Sequence, residues 1–415
     1  MTLADVRINA DRLRADFEAV ADIGATIAGG VSRLALSNED LEARAWFANR
    51  LDDAGLLVRD DDAGNISGVL LMTGNPSGRS FLVGSHLDSS VNGGKYDGSV
   101  GVLAGLECLR TIQESGLRLP VNLEVINFTD QEGAWQSLMG SRALTGKLPD
   151  FTAREGEDQS AFRAALFRAG IYISDLQKAK RKPEDVAGFL ELHIEQGARL
   201  WRSGIRLGVV SGIVGRTTYH LTFLGEAGHS GTTAPDSRKD ALHGAAAFIT
   251  EAHRWVQNGF KEGIFNAGNI TVEPGAFNTI PSKTVLTVEV RHPEESTLTV
   301  MEDQMLALAA DVARQFHLRL TSRRVVHMPA AKMSDWAVDS IESSCKYLDV
   351  SSYMRMVSYA GHDAQMLSDF APTGMIFVPS VEGLSHNPRE FTEWEDVVLG
   401  ANVLLHTLIE MAERV

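Results

Sequence analysis

The chain has 415 residues, of which 44% are hydrophobic and 22% charged, as is usual for a globular protein long enough for two or three domains. Its formal net charge of -15 argues against a nucleic-acid or anionic-membrane surface, because both need clustered Lys and Arg. Two cysteines, Cys108 and Cys345, make no disulfide framework. The charged amino-terminal segment has no apolar core typical of a secretory signal, and no apolar stretch is long enough for a membrane helix. These features predict a cytoplasmic protein.

The first half of the chain alternates between helical and strand patterns. Apolar periodicity predicts helices at 9–28, 38–54 and 99–115, and strands at 68–72, 81–84, 121–128 and 187–194. This βαβ rhythm predicts a mostly parallel sheet covered by helices. Ligands of such sheets bind beyond the carboxyl ends of the strands, so we expect the functional residues there.

A different order of elements begins near Gly212. The patterns predict strands at 217–224, 268–272, 283–291 and 318–327, and helices at 238–257 and 296–316. Their order, β-α-β-β-α-β, is typical of a ferredoxin-like unit. The earlier rhythm then returns, with a helix at 335–348 and strands at 354–359 and 375–379. We therefore predict an α/β domain formed by residues 1–211 and 329–415, split by an inserted α+β domain at 212–328.

Five side chains that suit metal ions follow predicted strands or lie in glycine-rich turns. They are His86, Asp97, Glu132, His193 and His386. Three imidazoles and two carboxylates suit two divalent ions such as Zn, Mn, Co or Ni. A single such histidine is more often structural, but five ligands at one sheet edge favour a metal centre. The carboxylate of Asp88 is expected to bind the second ring nitrogen of His86.

Seven motifs give the chain a resemblance to the dinuclear-metal M20 amidohydrolases and peptidases. They are Gly-Ser-His-Leu-Asp (84–88), Gly-Gly-Lys-Tyr-Asp-Gly (93–98), Asp-Gln-Glu-Gly (130–133), His-Ile-Glu-Gln-Gly (193–197), His-Ser-Gly-Thr-Thr (229–233), Gly-His-Asp-Ala (361–364) and Gly-Leu-Ser-His-Asn-Pro-Arg-Glu (383–390). More narrowly, the chain resembles the carbamoylase branch, which holds N-carbamoyl-L-amino acid hydrolases, allantoate amidohydrolases and β-ureidopropionases. The match covers nearly the whole chain, and the motif at 193–197 is the most specific to this branch.

The resemblance implies a fold, a metal arrangement and a reaction. It implies a zinc-peptidase-like catalytic domain with an inserted ferredoxin-like domain that acts as a lid and forms a homodimer. His86 and His193 would hold one ion, His386 and Glu132 the second, with Asp97 bridging them. The reaction would be hydrolysis of a C–N bond in a small ureido or amide compound that carries a carboxylate. An M20 aminoacylase or dipeptidase is the alternative enzyme, and a non-catalytic small-molecule binder is the alternative outside enzymes.

The resemblance also implies a set of substrate contacts. They are Gln196, Arg216, His229, Asn278, Arg291, Gly361 and His362. His229 would donate to the developing oxyanion, from its own chain or from the partner subunit, and Asn278 and Arg291 would hold the substrate carboxylate. Gln196 would bind the amide or ureido group. Arg216 departs from the branch, which often has Gln there, so it indicates either a changed substrate preference or a solvated side chain. For Arg291 a strand-end salt bridge is the structural alternative.

Gln131 precedes Glu132, where the resemblance implies a Glu that acts as general base. An amide cannot take up a proton near neutrality, and general acid–base catalysis is worth about 10²–10⁴-fold. Three interpretations stay open. Gln131 replaces a Glu in a disabled variant, another carboxylate such as Asp130 acts as base, or the chain is a natural binder without turnover. Asp130 is expected to point to the opposite face if the preceding strand continues.

Overall fold

The computed structural model describes residues 6–75, 78–149, 151 and 157–415. The chain divides into two compact units, here called the larger unit (Met1–Ser211 with Lys332–Val415) and the smaller unit (Gly212–Ala331). The sequence patterns put the second boundary at 328/329, and the structure puts it at 331/332. Within the described ranges, no helix is both long and apolar enough to pass through a membrane.

The secondary structure follows the chain in a regular order. The strands are β1 (Leu57–Asp60), β2 (Ile66–Leu70), β3 (Ser80–His86), β4 (Asn122–Phe128), β5 (Val186–Ile194), β6 (Leu207–Ile213), β7 (Gly215–Leu224), β8 (Gly228–His229), β9 (Ile264–Glu273), β10 (Thr279–Ile280), β11 (Lys283–His292), β12 (Arg319–Met328), β13 (Ala331–Lys332), β14 (Tyr353–Ser358) and β15 (Thr373–Val378). The α-helices are α1 (Ala10–Asp22), α2 (Asn38–Asp53), α3 (Ser99–Ser115), α4 (Met139–Thr145), α5 (Glu157–Arg168), α6 (Arg199–Ser203), α7 (Ala241–Gly259), α8 (Glu295–Gln315), α9 (Asp335–Tyr347), α10 (Asp363–Leu367) and α11 (Trp394–Glu413).

The larger unit is built on a mixed sheet with the order β1-β2-β4-β3-β5-β15-β6-β13, in which β14 also pairs with β6. The central strands β4, β3, β5 and β15 are parallel, whereas β2 and β6 join this centre antiparallel. Every residue of β3, β4 and β5 is buried, which explains why their sequences read as nearly continuous apolar runs. The predicted α/β fold with a mostly parallel sheet is confirmed.

The smaller unit is a four-stranded antiparallel sheet with the order β12-β7-β11-β9. In chain order this is fourth, first, third, second, as the ferredoxin-like prediction requires. Alternate residues of β7 and β11 are buried. They form one core with α7 and α8, to which Phe248, Met301 and Met305 contribute. The period-2 patterns of these strands therefore came from a sheet with one covered face.

The predicted element ends lie within a few residues of most observed ones, and two of the differences have a clear local cause. The helix predicted to reach residue 28 ends at Asp22, because Gly24 adopts a φ of 78° that no helix accommodates. The helix predicted to start at 238 begins at Ala241, where the Asp240 side chain accepts hydrogen bonds from two backbone N–H groups of the first turn. The sequence patterns predicted nothing for β1, β6 or α11.

Gly101 lies where α3 packs closest to the sheet. A Cβ at this position would lie 2.4 Å from the Leu192 carbonyl oxygen and 2.8 Å from the Ser85 Cβ. Because one neighbour is buried backbone, we expect Gly101→Ala to lower the free energy of unfolding by about 1–3 kcal/mol. Urea denaturation measures this change. Gly259→Ala is the matched control, since its Cβ would meet no atom within 4 Å; equal stability of the two variants would contradict the close packing.

Candidate metal centre

The five predicted ligands come from one edge of the sheet and from two loops beside it. His86 is the last residue of β3, His193 is the next to last of β5, and Glu132 lies in the loop that follows β4. Because β3, β4 and β5 are parallel, their carboxyl ends meet at the same edge. Asp97 lies in the turn before α3, and His386 lies in the loop before α11.

Asp97 is the common neighbour of the three histidines. Its Oδ1 lies 3.6 Å from His86 Nε2 and 3.1 Å from His193 Nε2. Its Oδ2 lies 3.2 Å from His386 Nε2, which is also 3.2 Å from Glu132 Oε1. The structure thus gathers all five predicted residues into two groups that share Asp97, one with His86 and His193 and one with Glu132 and His386.

The ring nitrogens of His86 and His193 test whether this cluster fits metal ions. Each Nδ1 faces a backbone carbonyl, that of Asp88 at 3.0 Å and that of Ile194 at 2.8 Å. Each Nε2 is buried and, among the described residues, has no hydrogen-bond partner. A fixed Nδ1–H leaves the Nε2 lone pair available, which is the usual arrangement of a metal-binding histidine. The donor set therefore fits borderline divalent ions.

A third group of candidate ligands, Glu191, His193 and His362, fits a metal less well. The two carboxylate oxygens of Glu191 already accept hydrogen bonds from Ser85 Oγ at 2.7 Å and from the backbone N–H of Ala364 at 2.8 Å. These bonds compensate the buried charge without an ion. We therefore regard Glu191 as a structural support beneath His193.

Asp88 supports the centre in a different way from the one predicted. The backbone carbonyl of Asp88 holds the His86 ring, while its carboxylate oxygen is 3.6 Å from that nitrogen. The carboxylate instead accepts hydrogen bonds from the backbone N–H groups of Gln131, at 3.3 Å, and Glu132, at 3.1 Å. The predicted bond from the carboxylate is wrong, and Asp88 ties the end of β3 to the loop after β4.

Gly98, the residue after Asp97, is required by close approach. Its φ is 68°, and a Cβ there would lie 2.5 Å from His86 Nε2. Any larger residue would meet both the strain of the left-handed region and the His86 ring. This explains the Asp-Gly pair in the motif at 93–98 and places Asp97 directly against His86.

The charges of the cluster are strongly coupled. Burial raises the pKa of Asp97, but the three imidazoles, whose Nε2 atoms lie 3.1–3.6 Å from its oxygens, hold that pKa well below its usual range. Burial, and then the Asp97 charge, raises the pKa of Glu132 to about 7. The hydrogen bond to Asp97 raises the pKa of His386 to about 9. The cluster therefore holds protons near neutrality that divalent ions would have to displace.

Gln131 is held by the fold through both its main chain and its side chain. Its Nε2 donates to the Gly361 carbonyl at 2.9 Å. Asp130, the alternative base, turns away, because the strand ends at Phe128 and Asp130 adopts a φ of 53°. One of its carboxylate oxygens accepts from the backbone N–H groups of Trp135 and Gln136. Strand β4 thus does not continue to Asp130, so the prediction from strand alternation does not apply to it. The Asp130 side chain instead closes the loop that carries Gln131.

Gln196 and His362 both lie beside the ligands. The Gln196 Nε2 donates to Asp97 Oδ2 at 2.8 Å, which leaves its buried Oε1 without a partner among the described residues. That oxygen is free to accept an N–H from a ligand. The His362 ring lies 4.5 Å from the His193 ring, centroid to centroid, and burial lowers its pKa well below the usual value. A neutral His362 thus packs against His193, and Gly361 precedes it.

Two predicted substrate residues of the smaller unit face each other. Arg216 and Arg291 are directly opposite on the antiparallel strands β7 and β11. Glu289 pairs with Arg291 through an Nε–Oε1 distance of 2.6 Å, so the salt bridge considered for Arg291 is present. Arg216 is half-buried, and this burial lowers its pKa. Arg216 is thus partly solvated, and its role in substrate preference stays a prediction.

His229 and Asn278 form a second pair in the smaller unit. β8 and β10 bring them together, with His229 opposite Thr279 and the Ser230 N–H donating to the Asn278 carbonyl at 3.0 Å. His229 is exposed, and its Nδ1 accepts from the backbone N–H groups of the two residues after Ser230, at 3.1 and 3.3 Å. The loop thus fixes the ring and leaves Nε2 outward.

The two pairs lie at opposite ends of one strand. Asn278 precedes β11, and Arg291 is close to its far end. At a rise of about 3.3 Å per residue, the eight steps from Lys283 to Arg291 span roughly 26 Å. Asn278 and Arg291 therefore lie toward opposite ends of β11, and their shared role in holding the substrate carboxylate stays a prediction.

Two further polar residues surround Asp97, although the sequence assigned them no role. Ser385 Oγ lies 3.0 Å from Asp97 Oδ2, and Glu390 accepts a hydrogen bond from the backbone N–H of Asp97 at 3.0 Å. Both residues belong to the quoted motif at 383–390. That motif was the only feature of the sequence that could have indicated a role for Ser385 and Glu390.

Comparison with known proteins decides the family. The model of Peptidase family M20/M25/M40 matches residues 84–410. The chain belongs to this family. It is 36% identical over 414 residues to an N-carbamoyl-L-amino acid amidohydrolase from Geobacillus stearothermophilus, covering 98% of this chain and 99% of that one. It is 33% identical over 399 residues to an allantoate amidohydrolase from Bacillus subtilis (strain 168), covering 95% and 96%.

Solved structures agree with the family. An amidase of the hydantoinase/carbamoylase family from Burkholderia multivorans superposes with a TM-score of 0.88 at 31% identity, covering 98% of this chain and 99% of that one. The resemblance to the M20 family and its carbamoylase branch is thereby confirmed. This chain carries all five candidate metal ligands, and it has Gln131 directly before Glu132.

The raised pKa of His386 predicts that metal binding releases protons. A His386 with a pKa of about 9 is protonated near neutrality and must lose its proton to bind an ion. The affinity for Zn or Mn should therefore rise with pH between pH 6 and pH 8. Titration calorimetry in buffers of different ionisation enthalpy measures the protons released, and His386→Ala should release fewer. An affinity that does not vary over this range would contradict the assignment.

Proposed function

We propose that the chain is a metal-dependent amidohydrolase of the carbamoylase type. Its substrate would be a small ureido or amide compound with a carboxylate, of the N-carbamoyl-L-amino acid or allantoate kind. The observation that carries this proposal is the pair of ligand groups that share Asp97 at the sheet edge. The names of the two relatives, each similar over nearly their whole length, supply the substrate class. The two free, buried cysteines fit a cytoplasmic location.

Each ligand has a defined task in this proposal. His86 and His193 would hold one divalent ion, Glu132 and His386 would hold the other, and Asp97 would serve both groups. Such ions, when bound, polarise a substrate carbonyl and lower the pKa of a bound water. Gln196 accepts the N–H of the ureido or amide group at its unpaired Oε1, because its Nε2 is fixed by Asp97.

The smaller unit supplies the carboxylate contact. Arg216 and Arg291 carry two positive charges on one sheet face, and Glu289 cancels one of them. Together, Arg216, Arg291 and Glu289 carry a net charge of about +1, which matches the charge of one carboxylate. A guanidinium can bind both oxygens of that carboxylate at once. His229 is proposed as the donor to the oxyanion through its outward Nε2.

Gln131 is expected to lower the rate of hydrolysis more than the affinity for substrate. Its amide cannot accept a proton from the attacking water, so this step lacks the base that a carboxylate would provide. Among the described residues, its side chain bonds the Gly361 carbonyl and none of the five candidate metal ligands. We therefore propose that the chain binds its substrate and hydrolyses it slowly.

Gln131→Glu tests this expectation. The carboxylate can take up a proton, and, having no N–H for the Gly361 carbonyl, it is released from the bond that holds Gln131. We expect kcat to rise at least about a hundredfold, within the range for general base catalysis. Rates are measured on N-carbamoyl-L-amino acids, allantoate and N-acyl amino acids with Zn, Mn or Co.

The control for this experiment is Gln113→Glu, the same chemical change on an exposed turn of α3. It should leave the rates unchanged. Equal rates for the parent chain and the Gln131→Glu chain would contradict the role given to residue 131. A preference of the Gln131→Glu chain for N-acyl substrates would favour the aminoacylase alternative. Tight binding of N-carbamoyl acids without turnover by either chain would favour a binder.

We further propose a homodimer in which each active site takes residues from two chains. The length of β11 supports this, because His229 and Asn278 lie beside its start, whereas Arg216 and Arg291 lie near its far end. A second copy supplies the missing pair. In this proposal the inserted domain forms the contact between the two chains of the dimer.

Complementation between two inactive variants tests the shared site. His229→Ala and Arg291→Gln, each in the Gln131→Glu background, should be nearly inactive alone. When they are coexpressed, half of the dimers are mixed and one of their two sites is intact, so about one quarter of the activity should return. Mixing two separately purified His229→Ala preparations is the control. No recovery in verified mixed dimers would show that each site is complete within one chain.

A further inference from the structure

Glu390 is a buried carboxylate beside the metal centre to which the proposed function gives no task. It is 5% exposed, and each of its oxygens is used. Oε1 accepts hydrogen bonds from the backbone N–H groups of Tyr96, at 2.9 Å, and Asp97, at 3.0 Å. Oε2 accepts one from Ser385 Oγ at 2.8 Å. Glu390 therefore joins two loops whose bonded residues are 294 positions apart in the chain.

These two loops carry ligands of both groups. Asp97 follows Tyr96 directly, and His386 follows Ser385. The Ser385 hydroxyl also lies 3.0 Å from Asp97 Oδ2, so it stands between the two carboxylates and can donate its single proton to either. The Glu390 carboxylate thus accepts hydrogen bonds from the backbone of the Asp97 loop and from a side chain of the His386 loop.

The fit around Glu390 is close. A Cβ on Gly94 would lie 1.9 Å from the Glu390 Cδ and equally close to one of its oxygens, so the loop before Asp97 wraps the carboxyl group with no space between them. Glu390 belongs to none of the groups of candidate metal ligands found among the described residues. Its oxygens already accept hydrogen bonds from both loops, so we assign it no role as a direct ligand.

We propose that Glu390 is a positioning residue that holds Asp97 and His386 at the separation at which they bind two ions. This inference rests on the proposed metal centre and goes beyond it. Glu390 acts on the metal only through Asp97 and His386. Without it, the two loops would lose three hydrogen bonds, and the ligands would have to be ordered by the ions themselves.

Metal affinity is the measurement that tests this role. Glu390→Ala should weaken binding of Mn or Zn by about 10–100-fold, as is typical when a residue that orients a ligand is removed. Both ions should be affected, because Asp97 belongs to both groups. Glu390→Gln should recover much of the affinity, since its amide oxygen can still accept from the two N–H groups and its NH₂ can donate to Ser385 Oγ. Calorimetry on metal-free protein gives the affinities, and elemental analysis gives the stoichiometry.

A matched control and a second variant keep the test decisive. Glu395→Ala removes an exposed carboxylate in the first turn of α11 and should bind metal like the parent. If Glu390→Ala does not fold, Gly94→Ala displaces the carboxyl group from the other side and should lower the affinity similarly.

The outcomes separate this inference from the proposed function. Two ions bound by Glu390→Ala, or by Gly94→Ala if the former does not fold, with parental affinity would overturn the positioning role and leave the amidohydrolase proposal intact. Loss of only the ion at His386 would also overturn it, because the Asp97 loop would then not depend on Glu390. A parent chain that binds no divalent ion would overturn both the centre and this inference.

Discussion

The structure around the site depends on one buried carboxylate. Asp97 is 5% exposed, and an isolated charge at that depth would be costly. It is stabilised because three imidazoles from distant parts of the chain point at its two oxygens. Strand ends, the Gly98 turn and the loop of His386 are all placed by this requirement. The same convergence produces a site for two divalent ions, since positive charge is what the cluster lacks when its protons are removed.

The sequence was sufficient to predict that the candidate ligands cluster, partly because strand topology determines where three of them lie. Once β3, β4 and β5 are predicted as parallel strands, residues at their carboxyl ends must be neighbours. Asp97 and His386 do not follow from strand order, and only the motifs indicated them. The smaller unit was predictable for a related reason. Its sheet has one buried face, so the alternation in β7 and β11 was visible in the sequence.

The failures share a physical cause: each depended on a backbone turn or a contact that the local sequence does not specify. Asp130 leaves the strand through a positive φ, so the face predicted from alternation does not apply. The pairing of Arg216 with Arg291 across β7 and β11 was not predicted, because strand register is a tertiary property. Glu390 joins residues 294 positions apart, and no periodicity reports such a contact.

Gln131 is accommodated by the fold around the candidate metal centre. Its amide is bonded to the Gly361 carbonyl, and its backbone N–H is bonded to Asp88, so the fold accepts it. An ionised Glu would place an oxygen against that carbonyl and would gain nothing from the bond that Gln131 makes. The two residues have nearly the same volume and differ chiefly in charge and proton exchange. The ligands of the metal centre are held by Asp88, Gly98 and Glu390, none of which requires a carboxylate at position 131. A chain with Gln131 therefore keeps its candidate metal ligands together, under each of the three interpretations of this residue.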